Sequence, residues 1–425
     1  MSAQTEPVSQ HKEFGALDAL KIPDFRNLWL GQLISNLGDS MTTLAVMLLI
    51  NELTGSTSAL AIALILTTIP QITFGLAAGV YVDRLNRKRI MIVSDLLRGL
   101  LVLGFILVDS ADKVWVLYAI TFLQASVGTF FLPARSAIIP NIVPKEGLLA
   151  ANSISQTTRV IMTVIGTGVA GFLVGLHEYW VVFTIDAVTF FISMLLIVLI
   201  HYQQPARDTS EKVTPRMVIQ QLGIGLKVTF GNRILAGAII AISITMLGLG
   251  MVNVLLVPLL VNDLNVPETW FAAVEFAQTA AMILSGALVA GLASRFKPTY
   301  MLSGALFGLG VGVGLLAAPT NVWHVMAILF VIGFFVSPAN AAIQTIIQIA
   351  VPDEVRGRSS AVNGALVSTA SILAMAVAGI LADAIGTRTV FIVGGVFVSL
   401  SGVVAGIIFR GVAAPEAPLP SPENV

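Results

Sequence analysis

A chain of 425 residues that is 56% hydrophobic and only 11% charged, with a mean hydropathy of +0.92, falls far short of the roughly 25% charged residues of soluble domains and reads as a membrane protein. Its 23 basic and 23 acidic residues balance, which leaves no net field to attract nucleic acid. Cysteine is absent, the four histidines (His11, His177, His201, His324) are scattered, and no Gly-x-x-x-x-Gly-Lys-[Ser/Thr] run occurs. These features exclude disulfides and thiolate metal sites and argue against an ATP-driven cycle of the chain's own. No nucleophile–base pair stands out, so neither an enzyme nor a cofactor is expected.

Residues 1–25 are polar, lack the apolar run of a secretory leader, and read as a cytoplasmic tail. A helix needs about 20 apolar residues to cross a bilayer. Twelve such stretches follow, near 27–51, 56–82, 90–109, 114–134, 148–175, 179–201, 234–262, 269–293, 299–318, 322–349, 359–383 and 389–410. Most connections are very short, so neighbours run antiparallel. The exception is the polar segment 202–233, which divides the chain into a six-helix unit over 26–201 and another over 234–410, with a cytoplasmic tail at 411–425. Within that segment Met217 to Phe230 has apolar residues at helical spacing, suited to a helix on the membrane surface.

Charge placement gives the orientation. With the N-terminus inside, all but four of the 23 Lys and Arg fall in inner segments, Arg135 among them, just past the fourth span. Lys113 and Arg388 fall outside, and Arg98 and Arg159 fall within spans. Such a bias predicts a multi-pass protein of the cell membrane with both termini cytoplasmic. The two halves also echo each other. Pro133-Ala134-Arg135-Ser136-Ala137-Ile138 is answered by Pro338-Ala339-Asn340-Ala341-Ala342-Ile343. Pro144 and Gly171 share the spacing of Pro352 and Gly379. This is a parallel repeat.

Between the second and third spans lies Gly79-Val80-Tyr81-Val82-Asp83-Arg84-Leu85-Asn86-Arg87-Lys88-Arg89. So dense a cluster of charge must turn in water, and its pattern resembles the loop between helices 2 and 3 of the major facilitator superfamily of secondary transporters. Val351-Pro352-Asp353-Glu354-Val355-Arg356-Gly357-Arg358 resembles the same superfamily's loop between helices 10 and 11. Phe25-Arg26-Asn27-Leu28-Trp29-Leu30-Gly31-Gln32, Pro133-Ala134-Arg135-Ser136-Ala137 and Leu149-Ala150-Ala151-Asn152-Ser153 look like the branch holding macrolide and multidrug efflux proteins and enterobactin-type siderophore exporters. The chain departs from drug antiporters in lacking a proline within Gly166–Gly171, and its second-half loop, Gly291 to Lys297, lacks the aspartate.

The resemblance implies an all-α membrane protein of twelve transmembrane helices in two six-helix bundles, working by alternating access. It implies export of amphipathic or hydrophobic small molecules in exchange for protons. A siderophore or other metabolite is the alternative cargo, and a lipid or lysolipid a further one. The expected partners are that substrate, protons and the lipid bilayer, the protein acting as a monomer. The resemblance also makes the charged turn a gate: Gly79 permits close helix approach, and Asp83 caps the N-terminus of the eleventh helix, which carries about half a positive charge. Arg87 reinforces the cap, while Arg84 and Lys88 help set topology.

An ionised side chain at the bilayer centre costs about 2.5–3.5 kcal/mol on insertion scales, so each acid within a span needs a reason. Asp39 lies about 18 Å into the first span at 1.5 Å per residue. Gln32, Asn36, Asp39 and Thr43 recur at spacings of three and four, so they share one face. Asp39 is therefore a candidate for proton or substrate binding, with a helix-packing hydrogen bond as the alternative. Glu275, with Gln278 one turn on, is the second candidate. Asp186, in the sixth span, is expected to be structural. Asp95, Arg98 and Arg159 are expected to form a buried ion network near the charged turn.

Overall fold

The computed structural model describes residues 14–202, 204, 215–292, 296–351 and 353–409. The chain is built from α1 (Ala16–Leu20), α2 (Pro23–Thr54), α3 (Thr57–Arg84), α4 (Arg87–Leu103), α5 (Val114–Ile142), α6 (Leu148–Gly175) and α7 (Tyr179–Val198). After these come α8 (Pro215–Gly231), α9 (Arg233–Pro258), α10 (Phe271–Leu292), α11 (Pro298–Leu315), α12 (Val322–Ala350), α13 (Asp353–Ile385) and α14 (Thr387–Phe409). Twelve of them, all but α1 and α8, are long and apolar enough to cross a membrane. No strand occurs among the described residues.

Several helices run further than their apolar stretches, because hydropathy marks only the part in lipid and the helix continues until something caps it. Pro23 opens α2 at the first position, where its missing N–H costs nothing. Asn86 opens α4 by accepting from the Arg89 N–H at 3.0 Å. The fourth span is the clearest correction. Instead of ending near residue 134, α5 continues through Pro133 and Pro140 to Ile142. Ala134 and Ile138, one turn apart, are both fully buried, so one face of the helix stays in the core beyond the first proline. Arg135 is therefore a helical residue rather than part of a connection. The helix expected within the polar segment, at Met217 to Phe230, is α8. Its Thr229 is fully buried, with its hydroxyl 3.1 Å from Ser359 Oγ and 3.3 Å from Asn363 Oδ1 of α13.

Helix pairing repeats across the two halves. In the first, α2 packs on α6 and α7, α3 on α5, and α4 on α5 and α7; in the second, α9 packs on α13 and α14, α10 on α12, and α11 on α12 and α14. Between the halves α3 meets α13 and α6 meets α10, contacts that correspond under the same repeat. The repeated glycines Gly171 and Gly379 sit at these crossings. Gly379 faces the backbone of Thr57 and Ser58 on α3, and Gly171 faces that of Glu268 and Thr269, just before α10.

The packing of α11 on α14 depends on glycine in the same way. A Cβ on Gly310 would lie 2.6 Å from Ser399 Cα, and backbone cannot move aside as a side-chain tip can. Gly310→Ala is expected to lower the melting temperature of the detergent-purified protein. Overpacking costs about 1–3 kcal/mol, against the ~1 kcal/mol that alanine gains over glycine within a helix. An unchanged or higher melting temperature would show that the pair can separate without penalty.

Candidate functional site

The first-half helices enclose a cavity of about 350 Å³, within the range of small-molecule sites. The polar stripe of α2 lines it: Gln32, Asn36, Asp39 and Thr43 all face it. Across from Asp39, Arg98 of α4 donates from Nη2 to Asp39 Oδ1. The Arg98 guanidinium carbon also sits 4.2 Å from the centroid of the buried Phe190 ring, a cation–π contact. Gln124 of α5 donates to the Arg98 carbonyl at 3.2 Å. The ion pair thus joins two helices that do not follow each other in the chain.

A second acid reaches this cavity. Asp186 of α7 is buried and lines the same space, accepting from the Thr42 hydroxyl and, at 3.2 Å, from the Thr189 hydroxyl. Read from its span alone it is a structural residue, yet the fold sets it beside Asp39 and Arg98. The signal for this is a stripe of small residues on α2, Gly31, Ser35 and Gly38, all buried. Such a stripe lets backbones approach: a Cβ on Gly31 would meet Ser193 and one on Gly38 would meet Asp186 and Thr189. Arg135 also lines the cavity and donates from Nη1 to Gln32 Oε1 at 3.3 Å. Hydropathy alone places it outside the membrane.

The expected trio of Asp95, Arg98 and Arg159 is arranged differently. Arg98 hydrogen-bonds Asp39, and Arg159 lines the cavity without a bond to either of the others. Asp95 is fully buried, with Ser193 and Arg98 nearby, but neither of its oxygens has a hydrogen-bond partner and it does not line the cavity. Glu275 and Gln278 lie on α10 and do not line this cavity either. Among the described residues no hydrogen bond or ion pair ties Glu275, and Gln278 brings its carbonyl against Gly333 of α12.

At the charged turn, Gln204 clamps the chain reversal, accepting from the Arg87 N–H at 3.0 Å and donating to the Leu85 carbonyl at 2.8 Å. Arg87 is buried and donates to the Ala137 carbonyl of α5 at 2.9 Å. Lys88 Nζ donates to the carbonyls of Val198 and Ile200 at 2.8 and 2.7 Å, satisfying the open C-terminal end of α7 as basic side chains do. Arg84 is exposed. No described atom outside its own helix lies within 4 Å of a Cβ placed on Gly79. The Asp83 side chain and those of 353–358 lie outside the described residues.

The opposite end of the two halves is closed by contacts that the residue pattern does not announce. Asp383, in the last turn of α13, accepts from the N–H groups of Thr57 and Ser58 at 2.8 and 3.1 Å and from the Ser56 hydroxyl at 3.0 Å. It thereby caps α3 from across the interface. Alongside, Asn51 and Asn262 exchange amide hydrogen bonds of 3.0 and 3.1 Å.

A sequence profile of transmembrane secretion effectors matches residues 14–418. The chain belongs to that family. It is a multi-pass membrane transporter of the major facilitator kind, not an enzyme. Macrolide efflux protein A of Streptococcus pyogenes is 25% identical over 391 residues, covering 90% of this chain and 95% of that one. The multidrug efflux pump Tap of Mycolicibacterium fortuitum is 29% identical over 359 residues, covering 81% and 85%. Among solved structures, a mutant form of the nucleoside transporter NupG superposes with a TM-score of 0.77 at 12% identity, over 92% of this chain and all of that one. A bacterial homologue of the iron transporter ferroportin, in an inward-facing state, gives 0.73 at 15% over 92% and 99%. At these identities the structures speak for the fold alone. In this transporter, the cavity and the two closed or charged ends are the parts on which a transport cycle can act.

Proposed function

We propose that this transporter exports an amphipathic small molecule from the cell by alternating access, in exchange for protons. The observation that carries this reading is the Asp39–Arg98 ion pair in the wall of the first-half cavity. A carboxylate facing both a guanidinium and cavity water can exchange its partner for a proton, and the loosened pair then couples proton uptake to helix movement. One charge crossing a 100 mV potential supplies about 2.3 kcal/mol, enough to drive substrate uphill. The Gln and Thr groups around the pair, with Val46, Met47 and Phe105, suit a cargo that is polar at one end and apolar at the other.

In this reading the units 26–201 and 234–410 rock about the cavity, joined by 202–233, with both termini cytoplasmic and the chain a monomer. The charged turn faces the cytoplasm, Asp83 closes that side against α13, and the Asp383 and Asn51–Asn262 contacts close the outer side. Relatives named as macrolide and multidrug efflux proteins support the direction of transport. The test is uptake of a panel of amphipathic compounds into inside-out vesicles, with and without an imposed pH gradient. Accumulation that rises with the gradient and collapses with a protonophore is expected. Accumulation indifferent to the gradient would remove proton coupling from the reading.

A further inference from the structure

The cavity holds more positive charge than its acids can balance, and the excess sits at one end. Both acids lining it are engaged around Arg98: Asp39 hydrogen-bonds that guanidinium, and Asp186 lies within its field while accepting from Thr42 and Thr189. Arg135 and Arg159 are left over. They are close enough for their charges to oppose each other. Neither forms an ion pair with an acid among the described residues. The one side-chain bond from Arg135 goes to the neutral oxygen of Gln32, and its Nε is buried without any partner. Arg159 is exposed and lines the same space.

Two guanidiniums facing one cavity with neither paired to a carboxylate are unfavourable unless water or an anion lies between them. A planar guanidinium offers paired donors to carboxylate or phosphate oxygens. Arg135 and Arg159 come from different helices, α5 and α6, so an anion between them could be gripped from two sides. Phe131 and Leu132, about one turn before Arg135 on α5, line the cavity, which provides an apolar wall beside the proposed anion site.

We propose that the substrate carries an anionic group, a carboxylate or a phosphate, held between Arg135 and Arg159, with its apolar part along that wall. This rests on the reading of the cavity as the transport site. It also means that Asp39 is not the substrate's counter-charge, which leaves the Asp39–Arg98 pair free for the proton.

The test is binding to the purified full chain in detergent, read by titration calorimetry, of four probes that share a ring system: 1-naphthaleneacetate, 1-naphthyl phosphate, the methyl ester of naphthaleneacetic acid, and 1-naphthylmethylamine. At least one anion is expected to bind ten-fold or more tightly than the ester and the amine, and which of the two binds better separates carboxylate from phosphate. In Arg135→Gln/Arg159→Gln that preference is expected to vanish while ester binding persists, which also reports that the variant is folded. Arg135→Lys/Arg159→Lys should keep part of the preference, since charge remains without the fork. Equal or tighter binding of the amine or ester, no binding of either anion, or an anion preference untouched by the glutamine pair would overturn the proposal. Proton-driven export of cations with no anion preference removes this proposal and leaves the export reading standing; anion binding without gradient-driven accumulation does the reverse.

Discussion

Asp39→Asn is expected to abolish gradient-driven accumulation while leaving the protein in the membrane. Asparagine keeps the shape and an acceptor oxygen for Arg98 but can neither carry the charge nor take up the proton. If one proton is exchanged, a 100 mV potential is worth about 2.3 kcal/mol, an accumulation ratio of roughly 50-fold at 1.4 kcal/mol per decade, and the variant should lose all of it. The fold should tolerate the change better than it would the loss of a fully buried partner, for which about 3–5 kcal/mol is typical. The Asp39 side chain is 38% exposed, so cavity water can serve Arg98 in part, and Asp186 stays beside it. Asp39→Glu should recover some coupling. Vesicles of the asparagine variant that accumulate substrate as the parent does would take Asp39 out of the mechanism.

The second large effect is expected at the closed end. Asp383→Ala removes the cap of α3 that α13 supplies. A lost N-cap costs about 0.5–2 kcal/mol, and here the loss bears only on conformations in which this end is shut. The balance should move towards opening by about 2- to 30-fold. Asparagine keeps one acceptor oxygen but turns its NH2 towards donors that the second carboxylate oxygen now serves, so Asp383→Asn should move it by a smaller but still measurable amount. The absence of cysteine makes the measurement clean: Thr43→Cys places one thiol on the cavity stripe, and a membrane-impermeant maleimide added from outside reads its accessibility. The fastest labelling is expected with Asp383→Ala, with Asp383→Asn between it and the parent. Equal rates in all three backgrounds would mean that the cap does not hold this end closed.

The contrast between these two residues shows how far the chain can be read without its fold. Asp39 is legible because its companions recur at helical spacing and because an acid in lipid demands a reason. Asp383 is not, because an acid in the last turn of a span looks like an ordinary boundary residue, and its partners lie some 326 residues away in the chain. Asp186 escapes a reading of its span for a related reason. One span's pattern says how deep an acid sits but not which helix it faces, and only the close packing permitted by Gly31, Ser35 and Gly38 turns it to the cavity. Arg135 is lost through a different rule, since hydropathy ends a helix where charge begins while the backbone ends it where capping succeeds.

By itself the sequence determined the twelve spans, the repeat between the halves and the polar face of α2. Each follows from local physics: the length of helix that lipid requires, and the 3.6-residue period that sorts side chains onto faces. Tertiary structure alone decided that Arg98 hydrogen-bonds Asp39 rather than Asp95, that Arg135 and Arg159 share a cavity with neither paired to an acid, and that one end of the molecule is shut by Asp383 and the Asn51–Asn262 pair. Those outcomes depend on which helices are neighbours and at what distance. That is settled by packing between segments far apart in the chain, and no local pattern of residues records it.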